Sequence, residues 1–201
     1  MKRVLFLIVI LLFAIPCFGE EWQEARLGQA MMGGRNAPAG GTPQEFGYHP
    51  AGTPANYINM SNSLIGCKFT TPSAGSANPG SLYIYAAGFS VKGYICGVYS
   101  DVAGTWTGGT LLADIGEQHV SNNWPGGWAG PFSITWTGIL NATDYWIVCI
   151  GEAGDEAYVY YDTGAALARS WTYDGTLPST GPGSLDVGGY KIAVYITYTG
   201  N

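Results

Sequence analysis

Ten residues near the end of this chain, Tyr190 to Thr199, alternate strictly. Tyr190, Ile192, Val194, Ile196 and Tyr198 fall on one side, and Lys191, Ala193, Tyr195, Thr197 and Thr199 on the other. A period of two over that length belongs to a strand with one buried face and one wetter face, and no helix can present it. Upstream, Leu64 to Thr71, Ser81 to Ala87, Lys92 to Tyr99, Leu111 to Gln118, Pro131 to Thr137, Tyr145 to Ile150 and Ala157 to Tyr161 are short apolar runs. Leu167 to Tyr173 is a weaker one. Clusters of Gly, Pro, Ser and Asn separate them, as turns separate strands.

About eight strands at this spacing, with no amphipathic helix between them, give an all-β chain. The expected fold is an antiparallel β-sandwich, jelly-roll-like. A parallel sheet needs long crossover connections, and the short turns leave no room for them.

The N-terminus reads differently. Met1-Lys2-Arg3 is a basic head, Val4 to Ile15 is apolar without a charge, and Pro16-Cys17-Phe18-Gly19 brings small residues to a cleavage position. This is the layout of a secretory signal peptide over 1–19, with the secreted chain starting at Glu20. The apolar run is too short to span a bilayer well, and no second run in the mature chain is long enough. Ile15-Pro16 does not suit lipid attachment at Cys17. From Gly28 to Pro54 the chain is Gly, Pro, Ala and polar residues without period. Residues 20–54 are therefore expected to be a flexible or extended tail, and 55–201 the sandwich.

Losing Lys2 and Arg3 takes the formal charge from −6 to about −8. Such a protein lacks the clustered cations that nucleic acid demands. The charge favours solubility in a secreted protein.

Three cysteines remain after cleavage: Cys67, Cys96 and Cys149. An oxidising compartment allows one bridge and one spare thiol. Cys96 and Cys149 lie inside apolar runs and are the preferred pair; three unbridged buried cysteines are the commoner arrangement for such positions.

Three stretches carry a family likeness. Gly97-Val98-Tyr99-Ser100-Asp101 ends one run, Gly109-Thr110-Leu111-Leu112-Ala113 opens the next, and Asp144-Tyr145-Trp146-Ile147-Val148 follows. Phe46-Gly47-Tyr48 and Gly66-Cys67-Lys68-Phe69 stand upstream, and Tyr160-Tyr161-Asp162-Thr163-Gly164 and Ala193 to Tyr198 downstream. Together they resemble the choice-of-anchor β-sandwich domains (the R-like type) of secreted bacterial and archaeal surface proteins. The resemblance runs from Phe46 to Thr199. It implies a jelly-roll-like fold on an exported surface or matrix protein, and it brings no catalytic residues. Thr105-Trp106-Thr107-Gly108 departs from the Pro-Gly of that family's loop. No sorting helix follows Thr199, so attachment to a cell is expected to come from elsewhere.

The aromatics are the strongest functional lead. Trp106, Trp124, Trp128 and Trp171 fall in expected turns or at strand ends. Indole faces stack on the C–H faces of sugars, and Gln118, Asn122 and Asn123 stand near Trp124 and Trp128 to bond hydroxyls. These seven residues are the candidate glycan contacts. Packing over the core edge is the commoner fate of tryptophan. Trp136 and Trp146 sit inside strand runs and read as core.

Asp101, Glu152, Asp155 and Glu156 are candidate ligands for a structural calcium ion, which takes loop oxygens. Solvated acidic turns are the commoner state, and no other cofactor is expected. Glu117 with Glu152 or Asp155 makes no pair at a spacing that singles out hydrolase chemistry. His49 and His119 do not define a zinc site.

The expectation is a secreted, non-catalytic module at the cell surface or in the extracellular matrix. Its expected partner is a glycan or a matrix polymer. The alternative is a structural subunit of a filament or surface layer that self-associates through its N-terminal tail.

Overall fold

Runs rich in Ile, Val, Tyr and Trp between Gly and Pro turns have no way to bury an apolar face except as strands, and strands are what they form. The computed structural model describes residues 41–50, 56–88, 92–120, 124–154, 157–183, 185–186 and 189–201. These belong to one compact unit, Ala39–Asn201. The expected signal peptide and the tail up to residue 40 lie outside the described residues.

The strands in chain order are β1 (Pro43–Tyr48), β2 (Asn56–Asn59), β3 (Ser63–Thr70), β4 (Gly75–Gly88), β5 (Lys92–Ser100), β6 (Leu111–Asp114) and β7 (Gln118–Val120). There follow β8 (Trp124–Ile139), β9 (Asp144–Gly151), β10 (Ala157–Asp162), β11 (Leu167–Ser170), β12 (Leu185–Asp186), β13 (Lys191–Ile192) and β14 (Val194–Gly200). They make two seven-stranded sheets. The first runs β1-β14-β4-β10-β13, with β8 also on β4 and β2 also on β10. The second runs β12-β11-β3-β9-β5-β6, with β7 also on β5. The strand pairings are antiparallel, so the chain is an all-β antiparallel sandwich. Among the described residues no helix is long and apolar enough to cross a membrane.

Between the sheets, Phe46, Leu82, Ile84, Val194 and Ile196 of the first sheet meet Ile65, Val98 and Ile147 of the second, all buried. A second cluster includes Leu64, Ile95, Tyr99, Trp106, Trp146, Val148, Ile150 and Leu177. On β9, Ile147 and Cys149 join the first cluster, and Trp146, Val148 and Ile150 the second. Burial on both faces explains why this segment reads as a continuous apolar run instead of an alternation.

The strand count exceeds the expected eight for physical reasons. The Leu111 to Gln118 run divides into β6 and β7 at Ile115–Glu117, where Gly116 takes a φ of 66°. The last run divides at Ala193, whose N–H bonds Tyr160 and whose carbonyl accepts Tyr85 N–H, so the segment passes from β10 to β4. β4 extends upstream through Asn78-Pro79, which reads as a turn; a register shift between Ala77 and Gly80 accommodates it. β8 starts before Pro131, and in the described pairings it bonds only β4, so a proline without an N–H is tolerated.

The domain boundary needs a correction. β1 pairs along its whole length with β14, and Phe46 is 3% exposed in the core. The sandwich therefore includes residues assigned to the tail. One apolar residue in a six-residue strand with Gly and Pro carries too little periodicity to show in the sequence.

Cys96 and Cys149 stand opposite each other on β5 and β9 and are joined in a disulfide, with Cα atoms 4.1 Å apart. Cys67 is a buried free thiol. Its sulfur accepts the Ile192 N–H at 3.4 Å, and burial pushes its pKa up to about 11.

Candidate functional site

The described members of the expected glycan set do not form one surface. Trp106 is 1% exposed. Its indole N–H donates to the Pro182 carbonyl at 2.9 Å, its ring meets Trp146 edge-on at 5.7 Å, and it lies over Gly66, where a Cβ would collide with it. Trp106 is thus a core residue, not a ligand contact. The missing side chain at Gly66 makes room for it, a signal that only the pairing of distant segments reveals. Trp171 packs half-buried against the same cluster. Gln118 spends its amide on the Ile115 carbonyl at 2.9 Å. Asn122 and Asn123 lie outside the described residues, as does the side chain of Trp124. Trp124 and Trp128 belong to β8 and not to the expected loop.

The two described members of the expected calcium set, Asp101 and Glu152, are not brought together either. The Asp101 carboxylate accepts the Trp146 indole N–H at 2.7 Å and the Gly104 N–H at 3.0 Å. Glu152 accepts the Gly93 N–H at 3.0 Å, near the start of β5, whereas Asp101 follows its end. The extended strand between them, at about 3.3 Å per residue, keeps them too far apart for one ion. Asp155 and Glu156 lie outside the described residues. Among the described residues no group of three or more His, Cys, Asp or Glu is placed to hold a metal. Glu117 accepts the Tyr173 hydroxyl at 2.8 Å, which makes it a loop tie.

What the fold does assemble is a row of aromatic rings on the outer face of the first sheet. Leu82, Ile84, Val194 and Ile196 point inward, so strand alternation turns Tyr83, Tyr85 and Tyr195 outward. Tyr83 and Tyr195 are directly opposed across β4 and β14 and stack at 4.7 Å with 9° between planes. His49, just past β1, stacks on the other face of this pair, 4.5 Å from Tyr195. Trp128 meets His49 and Tyr195 edge-on, each at 5.0 Å, and Tyr85 at 5.4 Å. Tyr85 meets Tyr160 at 4.9 Å, Tyr160 meets Tyr57 at 5.8 Å, and Tyr57 meets Tyr158 at 5.1 Å. The row therefore crosses the sheet from the end of β1 to β2.

Glycines open space for these rings. A Cβ on Gly126, whose φ is 103°, would stand 2.7 Å from the Tyr160 hydroxyl. One on Gly130, with φ 124°, would stand 3.1 Å from the Tyr83 ring. Large aromatics lying over glycine gaps cover backbone that would otherwise be bare. Tyr57 is 58% exposed, and the other rings of the row are half-buried or exposed. Around them stand Ser81, Ser133, Thr135, Thr197 and Thr199, which offer hydroxyls without charge. Burial among its neighbours, then Glu45 and Tyr83, pushes the Tyr195 hydroxyl up to about 12, so the phenol stays neutral and able to donate.

Each aromatic pair adds roughly 0.5–1.5 kcal/mol to the sheet beyond its buried area. Stabilisation alone accounts for the stacked pairs. It does not account for Tyr57, left mostly in solvent at the end of the row, on a face where apolar side chains gain little. No protein-family model matches this chain, and no curated protein is significantly similar to it.

Proposed function

We propose that this chain is a secreted, non-catalytic β-sandwich module that binds glycan at a cell surface or in an extracellular matrix. The signal-peptide layout and the likeness to choice-of-anchor domains support the location. The observation that carries the binding reading is the aromatic row on the outer face of the first sheet, with its fringe of uncharged hydroxyls. Sugar rings combine C–H faces with hydroxyls, and a surface of aromatic rings among Ser and Thr matches both. The contact surface is thus the row containing Tyr83, Tyr195, Trp128 and Tyr57, in place of the Trp124 to Trp128 loop.

The test is a glycan array and pull-down on insoluble polysaccharides, with the wild type beside Tyr83→Ser/Tyr195→Ser. The double variant is expected to stay folded by circular dichroism and to lose roughly 1–3 kcal/mol of binding, the scale of aromatic stacking on other flat ligands. Wild-type protein that binds no glycan sinks the reading. Regular polymers in negative-stain micrographs, abolished by the same substitutions, would establish instead the structural-subunit alternative, with a second copy covering the row.

A further inference from the structure

Beside the aromatic row, at the β8 side of the first sheet, a cleft of about 210 Å³ is lined by Tyr94, His119, Trp128, Phe132, Ala86 and Ala129. We propose that it is a subsite for a single neutral sugar ring of the bound glycan. This rests on the glycan reading of the row and assigns to it a separate place where one residue of the chain is selected.

Four observations carry it. The first is size: the volume is about seven times the ~30 Å³ that one water molecule occupies in the liquid, which suits one six-membered ring with substituents and not two. The second is the wall. Tyr94 and Phe132 meet edge-on at 6.1 Å, and with Trp128 they give the cleft aromatic sides suited to C–H faces. The third is a polar group on the wall. Tyr94 is buried in the core and lines the cleft, where its phenol brings a hydroxyl among apolar rings. A ligand hydroxyl can pair with a phenol as donor or acceptor, and a purely apolar ligand cannot. The His119 ring supplies a further donor or acceptor. The fourth is charge: among the described residues no carboxylate, lysine or arginine lines the cleft, which favours a neutral sugar.

Trp128 connects the two surfaces. It touches His49, Tyr85 and Tyr195 in the row and also lines the cleft. A chain lying on the row thereby has a route for one of its residues into the cleft. The row holds flat rings without reading their substituents; the cleft, closed on several sides, reads them.

The protein carries its own reporters, because it has two histidines, one in each place: His49 in the row and His119 in the cleft. Their ring signals can be followed by NMR while methyl glycosides of glucose, galactose, mannose and N-acetylglucosamine are added, and then an oligosaccharide from the array. At least one glycoside is expected to shift His119 and leave His49 in place, and the oligosaccharide to shift both. Tyr94→Phe removes only the hydroxyl. It is expected to melt with the wild type and to weaken binding of the selected glycoside fivefold or more. Tyr83→Ser/Tyr195→Ser should weaken oligosaccharide binding without changing which sugar is preferred. A response of His49 alone, or Tyr94→Phe binding as the wild type does, overturns the subsite and leaves the glycan reading intact. A lower melting temperature for Tyr94→Phe assigns the hydroxyl to the fold and also overturns it. If no glycan or glycoside moves either histidine, both readings fall.

Discussion

At the scale of single residues, the sequence does not separate a tryptophan that meets ligand from one that fills core. Trp106 stands among Gly and Thr, the company of an exposed turn, yet it is buried over Gly66 and bonded to Pro182. The Trp106→Ala variant is therefore expected to lose about 3–5 kcal/mol in urea unfolding, with any change in glycan binding following from that loss. A stable Trp106→Ala protein that no longer binds would return Trp106 to the ligand surface. Tyr195 gives a second check. Its folded pKa of about 12 lies above the unfolded value near 10, because its neutral form is favoured where it sits. The associated stability is fully present below pH ~10 and is lost as pH rises through about 12. Urea midpoints should fall across that window, and Tyr195→Phe, which cannot ionise, should show a shallower fall. Tyr94, Tyr99 and Tyr173 are also raised, chiefly by burial, so part of the slope should remain. An unchanged slope in Tyr195→Phe would mean that the row leaves this phenol in water.

At the scale of elements, β5 and β9 are tied at their middle by Cys96–Cys149, at a sequence separation of 53. Closing a loop of that length limits the unfolded chain, so Cys96→Ala/Cys149→Ala is expected to cost about 2–4 kcal/mol, read as a lower denaturant midpoint. A midpoint within a few tenths of the wild type would show that the facing strands hold without it. β1 makes a sharper case. A chain beginning at Gly41 keeps every described strand, whereas one beginning at Ala51 loses β1, its ladder with β14 and the buried ring of Phe46. The shorter chain is expected to melt well below the longer, by more than the ~4–8 °C that 1 kcal/mol moves a small domain. Equal melting temperatures would make β1 an ornament of the edge. These elements show where legibility ends. β14 is plain because Val194, Ile196 and Tyr198 point inward and alternate with outward residues; β9 and β10 are plain because they are dense in Ile, Val and Tyr. β1 carries one buried side chain and β2 none, and the first turns of β4 and β8 carry Pro and Gly, so their strand character comes from the partner strand. The aromatic row was hidden for a related reason. Its tyrosines are scattered between positions 57 and 195, and the registers of β4 with β14 and β10, and of β10 with β2, bring them together.

At the scale of the whole molecule, the sandwich separates two roles between its sheets. The second sheet is buried on both faces, by the central core and by the cluster around Trp106 and Trp146, whereas the first presents its aromatic row outward. A protein with a formal charge of −6 repels polyanions, so a ligand held by this row must gain from stacking and from hydroxyl bonds, not from ion pairs. Few charged groups belong to the row itself: Glu45 lies within 3.2 Å of His49, and the other members are uncharged aromatics. This fixes how binding must respond to salt. Screening lengths shrink from roughly 14 Å to about 4 Å between 0.05 and 0.5 M salt, which removes most attraction between exposed charges and leaves stacking in place. Affinity for a neutral polysaccharide, measured by isothermal titration across that range, is therefore expected to stay within about twofold, well inside the tenfold that 1.4 kcal/mol represents. A steep fall with salt would mean that charge carries the contact, and the row would then be a device of sheet stability with the ligand surface elsewhere.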